Sequence, residues 1–180
     1  VVSRDAKIIE LNNVHRISWQ VTIDNNLLYE EGDAVLRLYD ELIPENFIEI
    51  GMGGPPDKKY WVAVKVPEEG YVVVRRSLEK GWVPEAKTIV SYTDTSGMTI
   101  NNGERIVVTN LDIGQFAIDS YSVHGLQGST DPPSVYSGFM IVEFLSGDPA
   151  ESAIHLMPFA VTAGVGGLAA ILFLTKKRSS

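Results

Sequence analysis

The chain has 180 residues, 44% hydrophobic and 21% charged, with no cysteine and a formal charge of −8. That length suits one ordinary domain and a little more. The acidic balance excludes general binding to phosphate backbones, and the missing thiols exclude disulfide frameworks, thiolate nucleophiles, iron–sulfur clusters and cysteine-based zinc or copper centres.

In chain order, the opening Val1-Val2-Ser3-Arg4 reads as a mature secreted chain after removal of a signal peptide. Alternating or β-branched runs then recur at 6–10, 15–23, 34–39, 46–50, 60–66, 71–75, 88–92, 104–109, 115–122 and 136–145. Gly, Pro, Asn and Asp clusters at 24–26, 31–33, 51–57, 67–70, 101–103, 128–133 and 146–149 separate them. The pattern predicts an all-β fold, an antiparallel β-sandwich or jelly roll over residues 1–148. Lys65 shares a face with Trp61 and Ala63, so Tyr60, Val62, Val64 and Val66 are expected to face the core. The turn at 67–70 makes 60–66 and 71–74 a hairpin, and a second hairpin is expected between 106–108 and 116–118. Arg37, Arg75, Arg76, Arg105 and Glu143 read as solvated strand faces.

Residues 149–155 form a short linker to the segment 156–175, LMPFAVTAGVGGLAAILFLT, which carries no charge and is followed by Lys176, Lys177 and Arg178. Helical residues rise ~1.5 Å each, so this segment matches the ~30 Å core of a bilayer. The cations place residues 176–180 in the cytoplasm and the sandwich outside, in the periplasm or at the cell exterior. All acids but Glu151 lie within residues 1–150, and no Asn-x-Ser/Thr sequon occurs, which favours a prokaryotic envelope. Small residues recur four apart, Ala160 with Gly164, Ala163 with Gly167 and Gly166 with Ala170, a pattern that lets transmembrane helices approach closely.

Two family resemblances can be stated on these strands. The order YWVAVKVPEEGYVVV at 60–74, GERIVVTN at 103–110, GQFAIDS at 114–120 and YSGFMIV at 136–142 resembles the pre-peptidase C-terminal domain. That resemblance implies a jelly-roll accessory or binding domain of secreted prokaryotic proteins, without catalytic residues. The run GERIVVTNLD at 103–112 followed by His124-Gly125 is similar to the cupredoxin domain of terminal-oxidase subunit II and nitrous oxide reductase. There the histidine is a copper ligand beside two cysteines, a second histidine and a methionine. With no cysteine here, the second resemblance implies a metal-free relative of that fold or, as a third functional reading, a metal or redox protein with a degenerate form of it.

No constellation in the sequence selects a chemistry. His15, His124 and His155 lack partner histidines at i+3 or i+4, so His15 and His124 would make a metal site only by meeting acids from distant loops. His124 reads as a loop cap. His155, at the membrane interface, reads as an anchor, or as a haem or chlorophyll ligand if the partner is a redox or pigment complex. The acid clusters at 30–33, 40–45 and 68–69 lack calcium-loop spacing and read as solvated surface. Gly-x-Ser-x-Gly is absent, and the glycine run at 51–54 leads into prolines instead of a helix, which removes the dinucleotide reading. No cofactor is called for. The expected function is therefore a non-catalytic accessory or scaffold subunit, its helix docked among other membrane subunits and its sandwich on their outer face. The alternative is a membrane-anchored surface binding or adhesion module, which Trp61, Trp82 and Tyr92 grouped on one face would favour.

Overall fold

Period-two alternation of apolar and polar residues dictates pleated strands with one face buried. The computed structural model describes residues 6–15, 18–27, 32–126 and 138–146. They form eleven strands: β1 Ile9–His15, β2 Ser18–Leu27, β3 Asp33–Asp40, β4 Phe47–Gly53, β5 Tyr60–Val66, β6 Gly70–Ser77, β7 Thr88–Thr93, β8 Gly97–Asn101, β9 Ile106–Leu111, β10 Ile118–His124 and β11 Gly138–Ser146. A six-stranded sheet runs β1-β10-β3-β4-β5-β6 and a five-stranded sheet β11-β2-β7-β8-β9, with every pair antiparallel. This is the expected all-β, two-sheet sandwich.

The core lies between the sheets. Leu36, Ile50 and Val62 oppose one another across β3, β4 and β5, as do Leu38, Ile48 and Val64, and all are buried. Val21, Val90 and Ile100 form the matching row across β2, β7 and β8. Each such side chain removed from water contributes about 1.5–3 kcal/mol before conformational entropy is charged against it. Buried aromatic rings keep their polar atoms bonded: Trp19 Nε1 donates to the Phe116 carbonyl at 3.1 Å, Trp82 Nε1 to that of Gly53 at 2.7 Å and the Tyr92 hydroxyl to that of Gly114 at 2.8 Å.

Several expectations change here. Segment 106–111 pairs with β8, while β10 pairs with β1 and β3 in the opposite sheet, so residues 112–117 cross between sheets and the second hairpin does not form. β8 lies in a stretch where the sequence pattern marks no strand, and Gly51, Met52 and Gly53, which it marks as turn, belong to β4. Asp33 and Asp40 are buried instead of solvated; Asp33 Oδ1 accepts the Leu126 amide at 2.6 Å, and Asp40 Oδ1 accepts those of Leu42 and Ala117 at 3.2 and 3.0 Å. Among the described residues no helix is long and apolar enough to cross a membrane. The segment 156–175, with Ala160, Ala163, Gly164, Gly166, Gly167 and Ala170, lies outside them, as do His155, Lys176, Lys177 and Arg178.

Candidate functional site

Opposed residues of an antiparallel pair project to the same face, so register alone assembles the surface that the six-stranded sheet turns away from the core. Three rows cross it. Ser120, Tyr39, Phe47, Lys65 and Tyr71 make the first, Ser122, Arg37, Glu49, Ala63 and Val73 the second, and His124, Val35, Gly51, Trp61 and Arg76 the third. Four of the five strands involved, β3 to β6, follow one another in sequence.

Glu49 stands at the centre of this face and is 2% exposed. A carboxylate removed from water is tolerated only when it is paired and hydrogen-bonded. Here Oε2 accepts from Arg37 Nε at 2.8 Å, while Oε1 accepts from Trp61 Nε1 at 2.9 Å and from the Tyr71 hydroxyl at 2.8 Å. The Arg37 guanidinium lies 4.6 Å from the Phe47 ring centroid, and Phe47 is flanked by Tyr39 and Tyr71 with centroids at 6.3 and 6.2 Å. The Tyr39 hydroxyl is 3.0 Å from Ser122 Oγ. Burial, the hydrogen bond to Glu49 and the Glu49 charge push the Tyr71 phenol up to about 12, since ionising it would set two anions side by side. Arg37, read from sequence as a solvated cation, is therefore the internal counter-ion of this face.

Trp61 lies flat across β4. A Cβ on Gly51 would overlap its ring, so only glycine leaves room there. With its N–H held by Glu49 and its ring laid over Gly51, the indole is fixed in place and partly exposed. Beside it opens a cleft of about 470 Å³ lined by Trp61, Val73, Leu78 and Leu126 and by two cations, Lys59 and Arg76. Lys59 is 3.5 Å from Asp57, with both side chains about half exposed, a pairing that water largely screens.

His124 closes the third row at 1% exposure. Its Nδ1 lies 2.7 Å from the Gly125 carbonyl, which can only accept, so the proton is assigned to Nδ1, and Nε2 is left without a hydrogen-bond partner. Burial, partly opposed by the Gly125 hydrogen bond, lowers its pKa and favours the neutral ring. His15 lies opposite Ile118 at the other end of β10, six residues or roughly 20 Å along the strand, and its side chain is outside the described residues. Among the described residues no group of three or more His, Asp or Glu side chains is placed to hold a metal.

Trp61, Trp82 and Tyr92 do not share a face. Trp82 and Tyr92 are core residues at 2% exposure, and the aromatic residues that share the outer face with Trp61 are Tyr39, Phe47 and Tyr71, two rows away. Nothing in the sequence reading singled out Glu49. The alternation Phe47-Ile48-Glu49-Ile50-Gly51 marks it as outward-facing, but which strands flank β4, and hence which donors meet it, is a property of topology.

No family model matches the chain, and no curated protein matches it. Among solved structures it is similar to lactose- and MES-liganded congerin II (TM-score 0.46, 15% identity, covering 77% of this chain and 100% of that one) and to an ancestral congerin (0.48, 12%, 77% and 99%). It is also similar to the carbohydrate-binding module CBM66 from Bacillus subtilis (0.46, 10%, 78% and 80%). At these scores the likeness carries no weight for function, and the sandwich rests on its own strand pairing.

Proposed function

We propose that this chain is a non-catalytic surface module whose six-stranded sheet takes a saccharide on its outer face. The observation that carries this reading is the Glu49 cluster, in which one buried carboxylate holds an indole, a phenol and a guanidinium from three other strands. A pyranose presents apolar C–H patches on its faces and hydroxyls around its rim. Fixed aromatic rings match the first, and the polar groups of Arg37 and of Tyr39, whose hydroxyl is held by buried Ser122, match the second. Because the rings are already held, little side-chain entropy is lost on binding. Glu49 is fully engaged as an acceptor, and Glu10, opposite Ser120 on β1, lies three strands or roughly 14 Å away, so among the described residues these two acids are not set side by side for acid–base hydrolysis.

In this reading the segment 156–175 is a membrane anchor that displays the sandwich outside the cell, and a jelly-roll accessory domain resembling the pre-peptidase C-terminal kind would do the same work. The second reading, an accessory subunit docked among other membrane proteins, is favoured by the small residues Ala160, Ala163, Gly164, Gly166, Gly167 and Ala170. One experiment separates the two. The full chain in mild detergent is screened against an oligosaccharide array and sized after native extraction. Saccharide binding that weakens about tenfold or more in Trp61→Ala supports the binding module. No retained saccharide, together with comigrating membrane subunits lost on Gly167→Leu, overturns it in favour of the subunit.

A further inference from the structure

The geometry points to an anionic saccharide, one whose sugar residue stacks on Trp61 and whose negative group is held by Arg76 and Lys59. This rests on the saccharide reading above and names the class of sugar.

The chain as a whole is acidic, at −8, yet the cleft beside Trp61 has two cations and no carboxylate among the described residues that line it. The nearest acid on the sheet face, Glu49, is neutralised by Arg37 and bonded by two further donors, so it projects little negative potential toward a ligand. Asp57, 3.5 Å from Lys59, offsets one of the two cations through a pairing that water screens, and Arg76 leaves the cleft positive, opposite to the chain as a whole, the arrangement that attracts an anion to one place on an otherwise repelling surface.

The position of Arg76 is built into the sheet. Val62 opposes Arg75 while Ala63 opposes Val73, so Val74 is an extra residue in β6. The bulge resets the alternation and sets Arg76 directly opposite Trp61 on the outer face, while Arg75 stays exposed at the edge. Val73 and Leu78, 48% and 58% exposed, complete an apolar wall beside the fixed indole. An aromatic floor with a guanidinium at its rim suits a sugar ring bearing a carboxylate or a sulfate, and guanidinium groups pair with either by charge-assisted, two-pronged hydrogen bonds.

The test is titration of the full chain in detergent, followed by Trp fluorescence and calorimetry, with three probes of equal length: an oligogalacturonate, its carboxyl-reduced neutral counterpart and a sulfated oligosaccharide. The expected result is at least tenfold tighter binding of an anionic probe than of the neutral one at low salt, declining as salt rises. Arg76→Gln with Lys59→Gln should abolish that preference, bringing the anionic probes to the affinity of the neutral one; both side chains are exposed, so folding is retained. Whichever anionic probe is preferred identifies the group as carboxylate or sulfate. Equal affinity for charged and neutral probes overturns the inference while the saccharide reading stands. Binding of no probe, neutral included, overturns the two together.

Discussion

Glu49 shows how one side chain can organise a surface. Its two oxygens take three donors that come from β3, β5 and β6, so removing it strands all three at once. Glu49→Ala is expected to cost about 2–3 kcal/mol in chemical denaturation, less than a fully buried ion pair because Arg37 retains a quarter of its exposure and water can reach it. Glu49→Gln tests the electrostatics separately. It keeps an acceptor but deletes the charge, and the Tyr71 phenol, now near 12, should titrate closer to 10, as read by ultraviolet absorbance against pH. Unchanged titration would mean that burial alone sets the phenol. Arg37 and Glu49 were legible as outward residues of alternating strands. Their partnership was not, because the fold joins residues twelve positions apart here and 97 apart in the bond from Trp19 Nε1 to the Phe116 carbonyl, and only topology decides which.

At the scale of elements, local signals served well where the partner strand is next in sequence. The 60–66 strand and its turn have strong β-branched alternation on both sides of Pro67-Glu68-Glu69-Gly70, and β5 and β6 pair as expected. β8 escaped because its five residues contain only Met98 and Ile100 as inward apolar groups, between two turn-forming clusters. The crossover at 112–117 escaped for a different reason: Gly114 at positive φ suits a hairpin and a sheet-to-sheet passage alike. Two glycines of positive φ make a paired prediction. Gly97 has φ 71°, and a Cβ there would meet the Leu111 carbonyl oxygen at 2.4 Å, whereas Gly70, at φ 69°, has open space around it. Gly70→Ala should cost about 1 kcal/mol, the left-handed backbone strain alone, and Gly97→Ala about 3 kcal/mol, because the β8–β9 pairing must also yield. Equal losses in urea denaturation would contradict that difference.

For the molecule as a whole, burial of neutral His124 ties stability to pH. Its pKa lies below 6.5 in the folded state and near that value when unfolded, so the unfolded chain takes up the proton first and stability falls as pH drops through 6.5 toward the lowered value. The slope attributable to this group is at most about 1.4 kcal/mol per pH unit. Urea midpoints are compared at pH 7.5 and 5.5; Asp40, whose pKa burial raises, works with the opposite sign, so the same comparison is made on a variant that lacks His124. His124→Gln should flatten the dependence; an unchanged slope would assign it to other groups. The bulge at Val74 has a further consequence at this scale. β6 is an outermost strand, with backbone amides and carbonyls on one side that no neighbouring strand covers in the sheet order. A straight strand of that kind is a template on which a second copy can add itself, and native sheets blunt such borders with irregularity and charge. The extra residue supplies the irregularity and the exposed Arg75 and Arg76 supply the charge, so the device that turns a cation toward Trp61 also discourages the sandwich from joining sheets with its own kind.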